Sequence, residues 1–538
     1  MRRRDFLATF CAAFGLPVGR AEASGAPALH GLRVTNDSRP FAGDRRLLAT
    51  VNPHARELRA RAVVSFRLDR PATVRMTVLR TDTIRIGRPA GEEVWSVERR
   101  LAAGRHGLAW RPGRDTPPRT YLLRLRVTDG RGRSRTYGGH RPGDTPTGPV
   151  VRVQGVEVAL ARPSYAPGEP ADLLIACDAR TLSLQVFHYG GTARPVDRDL
   201  KTNGLAVTPP VQVDRRAHRD APSRLRLLRA GSWESGLYFV RATADDARVG
   251  YAPFILRPRR LGERRVAVVL STHTWQAYNF HDADGDGWGD SWYVSDAIGS
   301  VDTTRPYLDF GVPFRFRDWD LTFVAWLNRT GKRADFLSDD DLEAAGSGDA
   351  LRRAYDLIVF PGHAEYVTDR GYDVVERYRD LGGNLMFLSA NNLVRRVRRE
   401  GGRLVLGGLW RELGRPESAV VGVQYVGSDQ GQRQGPFTVT GAEAVPWLFE
   451  GTGLRNGSTF GRYGIEIDQR TAASPGGTIQ VAAIPDLMGP GRSAEMTYYE
   501  TAAGAKVFAA GALNVAASID QPEVSRLVEN LWTRLSGG

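Results

Sequence analysis

Cysteine and lysine are almost missing from this chain of 538 residues. Its two cysteines are Cys11 and Cys177. Cys11 falls in a segment read below as a cleaved leader, which leaves one thiol and excludes an internal disulfide. Cys177 ends the apolar run Leu173-Leu174-Ile175-Ala176-Cys177, a buried-strand pattern, and no His or acid stands beside it to activate a thiolate, so it is not expected to act as a nucleophile. Lysine occurs only as Lys201, Lys332 and Lys506 among 74 basic residues, so arginine carries the net charge of +14. Those arginines are interleaved with Asp and Glu and form no helix-length basic stripe, which argues against a nucleic-acid partner. Beyond the N-terminus no apolar stretch is long enough to span a membrane.

What is present is a long chain of ordinary globular composition. At about 100–200 residues per domain it should divide into about three domains. The start, Met-Arg-Arg-Arg-Asp-Phe-Leu, is followed by an apolar run from Phe6 to Val18 and by Ala21-Glu22-Ala23. A basic n-region, a short apolar core and an A-x-A site make a signal peptide over residues 1–23. Arg3-Arg4-Asp5-Phe6-Leu7 resembles the twin-arginine export signal, which implies a periplasmic or extracellular protein, folded before export and often carrying a metal.

Residues 24–145 and 150–257 read as two all-β units, separated by a Gly/Pro/Thr-rich linker from Gly138 to Pro149. Thr73-Val74-Arg75-Met76-Thr77-Val78-Leu79 and Tyr121-Leu122-Leu123-Arg124-Leu125-Arg126-Val127 alternate apolar with polar, as half-buried strands do. Val156-Glu157-Val158-Ala159-Leu160 and Gly236-Leu237-Tyr238-Phe239-Val240-Arg241-Ala242 repeat the pattern in the second unit. The segment from Ala103 to Trp110, followed by Thr120-Tyr121, resembles bacterial Ig-like sandwich modules. Neither unit clusters catalytic residue types, and His106, His188 and His218 stand alone. Presentation, or docking to a cell-surface polymer, is the role expected of them.

From residue 260 to 538 the pattern changes to α/β. Arg265–Ser271, Asp356–Gly362 and Asn384–Ser389 are continuous apolar runs, the mark of strands buried on both faces. A helix is expected from Thr368 to Leu381, stopped by Gly382-Gly383, and a closing helix from Pro522 to Leu535. Strand, helix, strand in this order predicts a mostly parallel sheet. In open sheets of this kind the site lies beyond the carboxyl ends of the strands. That rule selects His273 to Asn279 after the first strand, His363-Ala364-Glu365-Tyr366 after the second, and Ala390-Asn391-Asn392 after the third.

The strand order resembles the class I glutamine amidotransferase fold, but the turn Leu388-Ser389-Ala390-Asn391-Asn392 has no Cys where that family carries its nucleophile. A nearer resemblance is to the large (β) subunit of N,N-dimethylformamidase. It is carried by Thr274-Trp275-Gln276-Ala277-Tyr278-Asn279, Ser291-Trp292-Tyr293, Arg305-Pro306-Tyr307, Gly362-His363-Ala364-Glu365-Tyr366, Gly408-Leu409-Trp410-Arg411 and Tyr498-Tyr499-Glu500-Thr501. The resemblance implies hydrolysis of an amide C–N bond in a small molecule, with ferric iron held by Tyr278, Tyr293 and Glu365. It implies His363 and Glu500 as an acid/base pair, and Asn391 and Arg411 as groups that polarise or orient the substrate. The sequence departs from the family at Ala364, where Pro is usual, and between Tyr278 and Tyr293. There Asp282, Asp284, Asp286 and Gly287 take the spacing of a calcium loop, with Asp290 at its ninth position and Tyr293 where an EF-hand has Glu. Two other readings stay open: an exported binding module with a degenerate α/β domain, and a calcium-stabilised protein acting on glycans. A homo-oligomer is compatible with all three.

Overall fold

The computed structural model describes residues 25–55, 58–85, 88–189, 204–293, 295 and 298–537, so the expected signal peptide lies outside the described residues. The chain is mostly β and divides into several sheets. In the first unit, strands Leu29–Thr35, Ala62–Leu68 and Gly104–Trp110 form a three-stranded sheet that faces a six-stranded one. Val64 and Phe66 of one sheet share a core with Met76, Leu123 and Leu125 of the other. The six-stranded sheet includes Val150–Val153, which pairs in parallel with Leu48–Val51. The first unit therefore extends through Val153, past the boundary expected at 145. Alternating apolar residues explain why: Val151 and Val153 both enter the first core.

The second unit has the same two-sheet plan. Glu157–Leu160, Pro170–Ala176 and Ser223–Arg229 form one sheet, and Gly236–Ala244 lies inside the other. Cys177 is buried in its core, and burial pushes the thiol pKa up, the opposite of what a nucleophile needs.

The third unit is built on an eleven-stranded sheet. Asp335–Ser338, Val266–Leu270, Leu357–Phe360, Asn384–Phe387 and Lys506–Ala509 lie side by side in that order, all parallel. The middle strands are apolar throughout because helices cover both faces: Asp369–Asp380 packs on one side and Pro522–Leu535 on the other. Thr368 caps the first of these helices through the Gly371 N–H, and Gly382, at φ +84°, follows its end. The sheet does not stay parallel. Ala494–Glu500, Ile479–Ile484, Gln434–Val439, Thr459–Gln469 and Gln424–Ser428 extend it antiparallel. The expected mostly parallel sheet is thus corrected to a mixed one. Hairpin returns need only short turns, whereas each parallel addition needs a crossover. Among the described residues no helix is long and apolar enough to cross a membrane.

Asp335 begins the edge strand as a buried carboxylate, accepting from the Gly262 and Arg264 N–H groups and from the Tyr355 hydroxyl. Burial raises its pKa from 3.8 to about 6. The folded state then holds the proton more tightly than the unfolded chain. Stability from this group is fully present below 3.8 and is lost as pH rises through about 6. Urea midpoints measured across that window should fall with pH, and Asp335→Asn should flatten the slope; an unchanged slope would remove this account.

Candidate functional site

The expected residues meet where the parallel strands end. The short helix Thr272–Ala277 leaves the first strand and presents Tyr278 at its C-terminal side. The Tyr278 hydroxyl donates to Glu365, which follows the second parallel strand. Glu365 is fixed from its backbone, whose N–H donates to Thr274 Oγ1 at 3.2 Å, and from Arg395, whose Nε lies 3.2 Å from Oε1. Tyr293 stands edge-on to Tyr278, with ring centroids 5.1 Å apart. The segment Ser291-Trp292-Tyr293 is hooked there because the Trp292 N–H and the Ser291 hydroxyl both donate to the Ala277 carbonyl, at 2.9 and 3.2 Å.

His363 is wholly enclosed. Its Nε2 lies 3.8 Å from Glu365 and 3.3 Å from Glu466, and among the described residues neither ring nitrogen makes a well-formed hydrogen bond. Trp319 stacks edge-on against it at 5.0 Å. Burial pushes its pKa down to about 3, so the imidazole is neutral. Asn391 adopts φ +57° at the turn after the third strand. Its N–H donates to Asp468 at 2.9 Å and its side chain donates to Glu466 at 2.8 Å.

Glu466 and Asp468 were not among the sequence candidates. They occupy alternate positions on Thr459–Gln469 and so share one face. The alternation Ile465-Glu466-Ile467-Asp468 was the available signal, acids where a buried strand would hold apolar residues. That strand reaches the site because Ala512–Leu513, just past the last parallel strand, pairs with it. Gly511 makes the bend at φ +67°, where a side chain would strike the Glu495 carbonyl. Ile465 sits at φ +66° beside Glu466, a costly conformation for a β-branched residue. Burial, then the Glu365 charge, pushes the Glu466 carboxyl up; burial takes Asp468 up to about 7.

Two expected residues stand apart. Glu500 is exposed and pairs in register with Lys506, the first residue of the last parallel strand. It therefore lies at the far end of the sheet, accepting from the Tyr498 hydroxyl. An antiparallel neighbour carries its C-terminal residue away from the other expected residues, so Glu500 does not join them. Arg411 is one layer out: it pairs with Glu417 and donates to the Tyr425 carbonyl at 3.0 Å, while its charge helps hold down the Asp468 pKa.

Asp282, Asp284 and Asp286 bring carboxylate oxygens within 4.8 Å of one another, the one such His/Cys/Asp/Glu triple among the described residues. These carboxylates brace their own turn. Asp282 accepts from Gly285 and Gly287, Asp286 from Trp288, and Asp290 from Ala283. The loop docks on the first β unit. Thr81 donates to the Gly287 carbonyl at 2.6 Å, the Trp288 indole donates to the His140 carbonyl at 3.1 Å, and Arg45 donates to the Asp284 carbonyl at 2.6 Å.

The family of N,N-dimethylformamidase beta subunit-like, C-terminal domains matches residues 185–526. The chain belongs to that family. The match begins inside the second β unit, well before residue 260. Over 74 residues the chain is 38% identical to the N,N-dimethylformamidase beta subunit of Paracoccus aminophilus, covering 14% of this chain and 9% of that protein. Among solved structures, red sea bream transglutaminase aligns over 42% of this chain and 31% of its own, at 10% identity and a TM-score of 0.16, a likeness from which nothing is argued.

The turn at Asn391 generates a stability test. Asn391→Ala should cost about 2 kcal/mol, from one lost hydrogen bond and a left-handed residue with a Cβ. Asn391→Gly keeps the backbone conformation and should recover about 1 kcal/mol of that loss. Equal losses in urea denaturation would show that the backbone conformation is not what Asn391 supplies.

Proposed function

We propose that this protein is an exported, metal-dependent hydrolase of an amide C–N bond. The observation that carries the reading is the Tyr278–Glu365 contact beside His363, whose Nε2 stands 3.3 Å from a second buried carboxylate, Glu466. Family membership supports it.

A buried phenol against a buried carboxylate is an oxygen-rich donor set that suits a hard, highly charged cation. Tyr278, Glu365 and the neighbouring Tyr293 would hold ferric iron. Without a cation, burial and the Glu365 charge keep the Tyr278 phenol protonated, far above its ordinary pKa. When bound, the ion would polarise an amide carbonyl and acidify a water. The remaining work falls to the chain. Glu466, its carboxyl pushed up by burial and 3.3 Å from the neutral His363 ring, is the group suited to take a proton from water and takes the place expected of Glu500. Asn391 orients Glu466, and Arg395 fixes the second oxygen of Glu365. Trp319 closes one side of the imidazole to water. The Arg3-Arg4 leader supports export by the twin-arginine route, after the ion is loaded.

Glu365→Gln should lose iron by elemental analysis, lose the visible tyrosinate-to-iron absorption, and reduce amide hydrolysis on the order of 100-fold or more. A variant that keeps both iron and activity sinks the proposal. For the aspartate loop, the proposed ion is structural calcium: adding it to chelator-treated protein should raise Tm, and an unchanged Tm leaves those carboxylates as turn braces alone.

A further inference from the structure

A cavity of about 240 Å³ counts Tyr278 among its lining residues. Its apolar walls include Phe280, Val312, Pro313 and Phe314. Phe314 is half-buried and touches the whole aromatic frame: Tyr293 at 5.1 Å, Phe280 at 5.4 Å and Tyr278 at 6.2 Å between centroids. The Arg315 guanidinium stands over the Phe314 ring, 5.7 Å from its centroid, so the cavity presents aromatic surface and a cation together.

The loop that carries Phe314 is held in a costly shape. Arg315 adopts φ +57°, and Arg317–Leu321 forms a π-helical turn, a rare conformation that recurs at functional sites. It is held there by Trp319, which packs on His363 and donates to Asn514 at 3.2 Å. The same strained turn thus touches the reactive imidazole and lines the cavity.

Three charged residues complete the lining. Arg315 is exposed and satisfied by Asp318 at 3.3 Å. Arg317 is half-buried and has no hydrogen bond or ion pair among the described residues. A guanidinium in an aromatic cavity, without a protein acceptor, is suited to bidentate pairing with a carboxylate. The cavity is also far larger than dimethylformamide would fill.

We propose that this cavity is the recognition pocket for an aromatic amide bearing a carboxylate, its ring packed on Phe314 and Phe280 and its carboxylate paired with Arg317. The word amide rests on the hydrolase reading above; the pairing of ring and anion rests on the cavity alone.

Calorimetric titration of the full chain with N-benzoylglycine and with its neutral methyl ester tests this. Wild type should bind the acid more tightly. Arg317→Gln should weaken the acid about tenfold and leave the ester within about twofold. Phe314→Ala should weaken both about tenfold. Arg317→Lys, which keeps the charge, should restore part of the acid's advantage. Acid and ester bound equally by wild type, or an Arg317→Gln variant of unchanged Tm that binds both as wild type does, overturns the proposal. The same titration on Glu365→Gln separates the two readings. Binding that persists there, with or without hydrolysis in the wild type, supports the pocket. A wild type that hydrolyses simple amides yet does not bind N-benzoylglycine overturns the pocket and leaves the hydrolase reading standing.

Discussion

Three carboxylates, Glu365, Glu466 and Asp468, are packed out of water at the ends of the parallel strands, two of them beside one neutral histidine, and the surrounding structure is arranged to make that tolerable. Removing a charge from water costs several kcal/mol unless donors replace the lost solvation. Each carboxylate therefore has a dedicated donor: Tyr278 and Arg395 for Glu365, the Asn391 side chain for Glu466, the Asn391 N–H for Asp468. These requirements account for features that look unfavourable one at a time. Asn391, in its left-handed conformation, sends its N–H and its side chain to two acids on the same strand. Ile465 is strained where its strand turns those acids inward. Backbone strain at residues that hold buried acids is a frequent mark of a working site.

The first β unit helps to shape the candidate site. The segment that brings Tyr293 beside Tyr278 begins as the aspartate loop, and that loop is clasped by Thr81, His140 and Arg45 of the first unit. Trp288 is buried with Leu48, Leu79, Leu122 and Val150 in a small core spanning the two. The placement of the second tyrosine thus depends on residues outside the family's matched region. Gly287 is required there, since a Cβ would press into Val150 and Leu122 at φ +93°. A β unit used as a clamp also explains the aspartates: their carboxylates tie the turn into the shape that the clasp needs.

Much of the α/β framework could be read from the chain. Continuous apolar runs marked Val266–Leu270, Leu357–Phe360 and Asn384–Phe387, and 3.6-residue periodicity with a Pro start marked Pro522–Leu535. The strand-end rule placed Tyr278, His363, Glu365 and Asn391 at one locus. The same reading missed Glu466 and Asp468, and the resemblance that supplied Glu500 could not place it, for one reason. Periodicity reports that a strand exists and which face is buried, but is silent on which neighbour it pairs with and in which direction. Reversing direction exchanges the two ends of a strand, so Tyr498–Glu500 looked like a site motif while its acid lies at the opposite edge.

The sequence by itself determined the strands, the helices, their caps and the donor types available to a site, because these depend on neighbours a few residues away. Tertiary structure alone decided which acids face His363 and how Tyr293 is held. It also decided that Arg317, beside Phe314, has no hydrogen-bond or ion-pair partner among the described residues. Those outcomes turn on pairings between segments far apart in the chain, such as Gly464 with Leu513 and Thr81 with Gly287. Such contacts form only when burial of the whole sheet compensates the entropy of closing long loops.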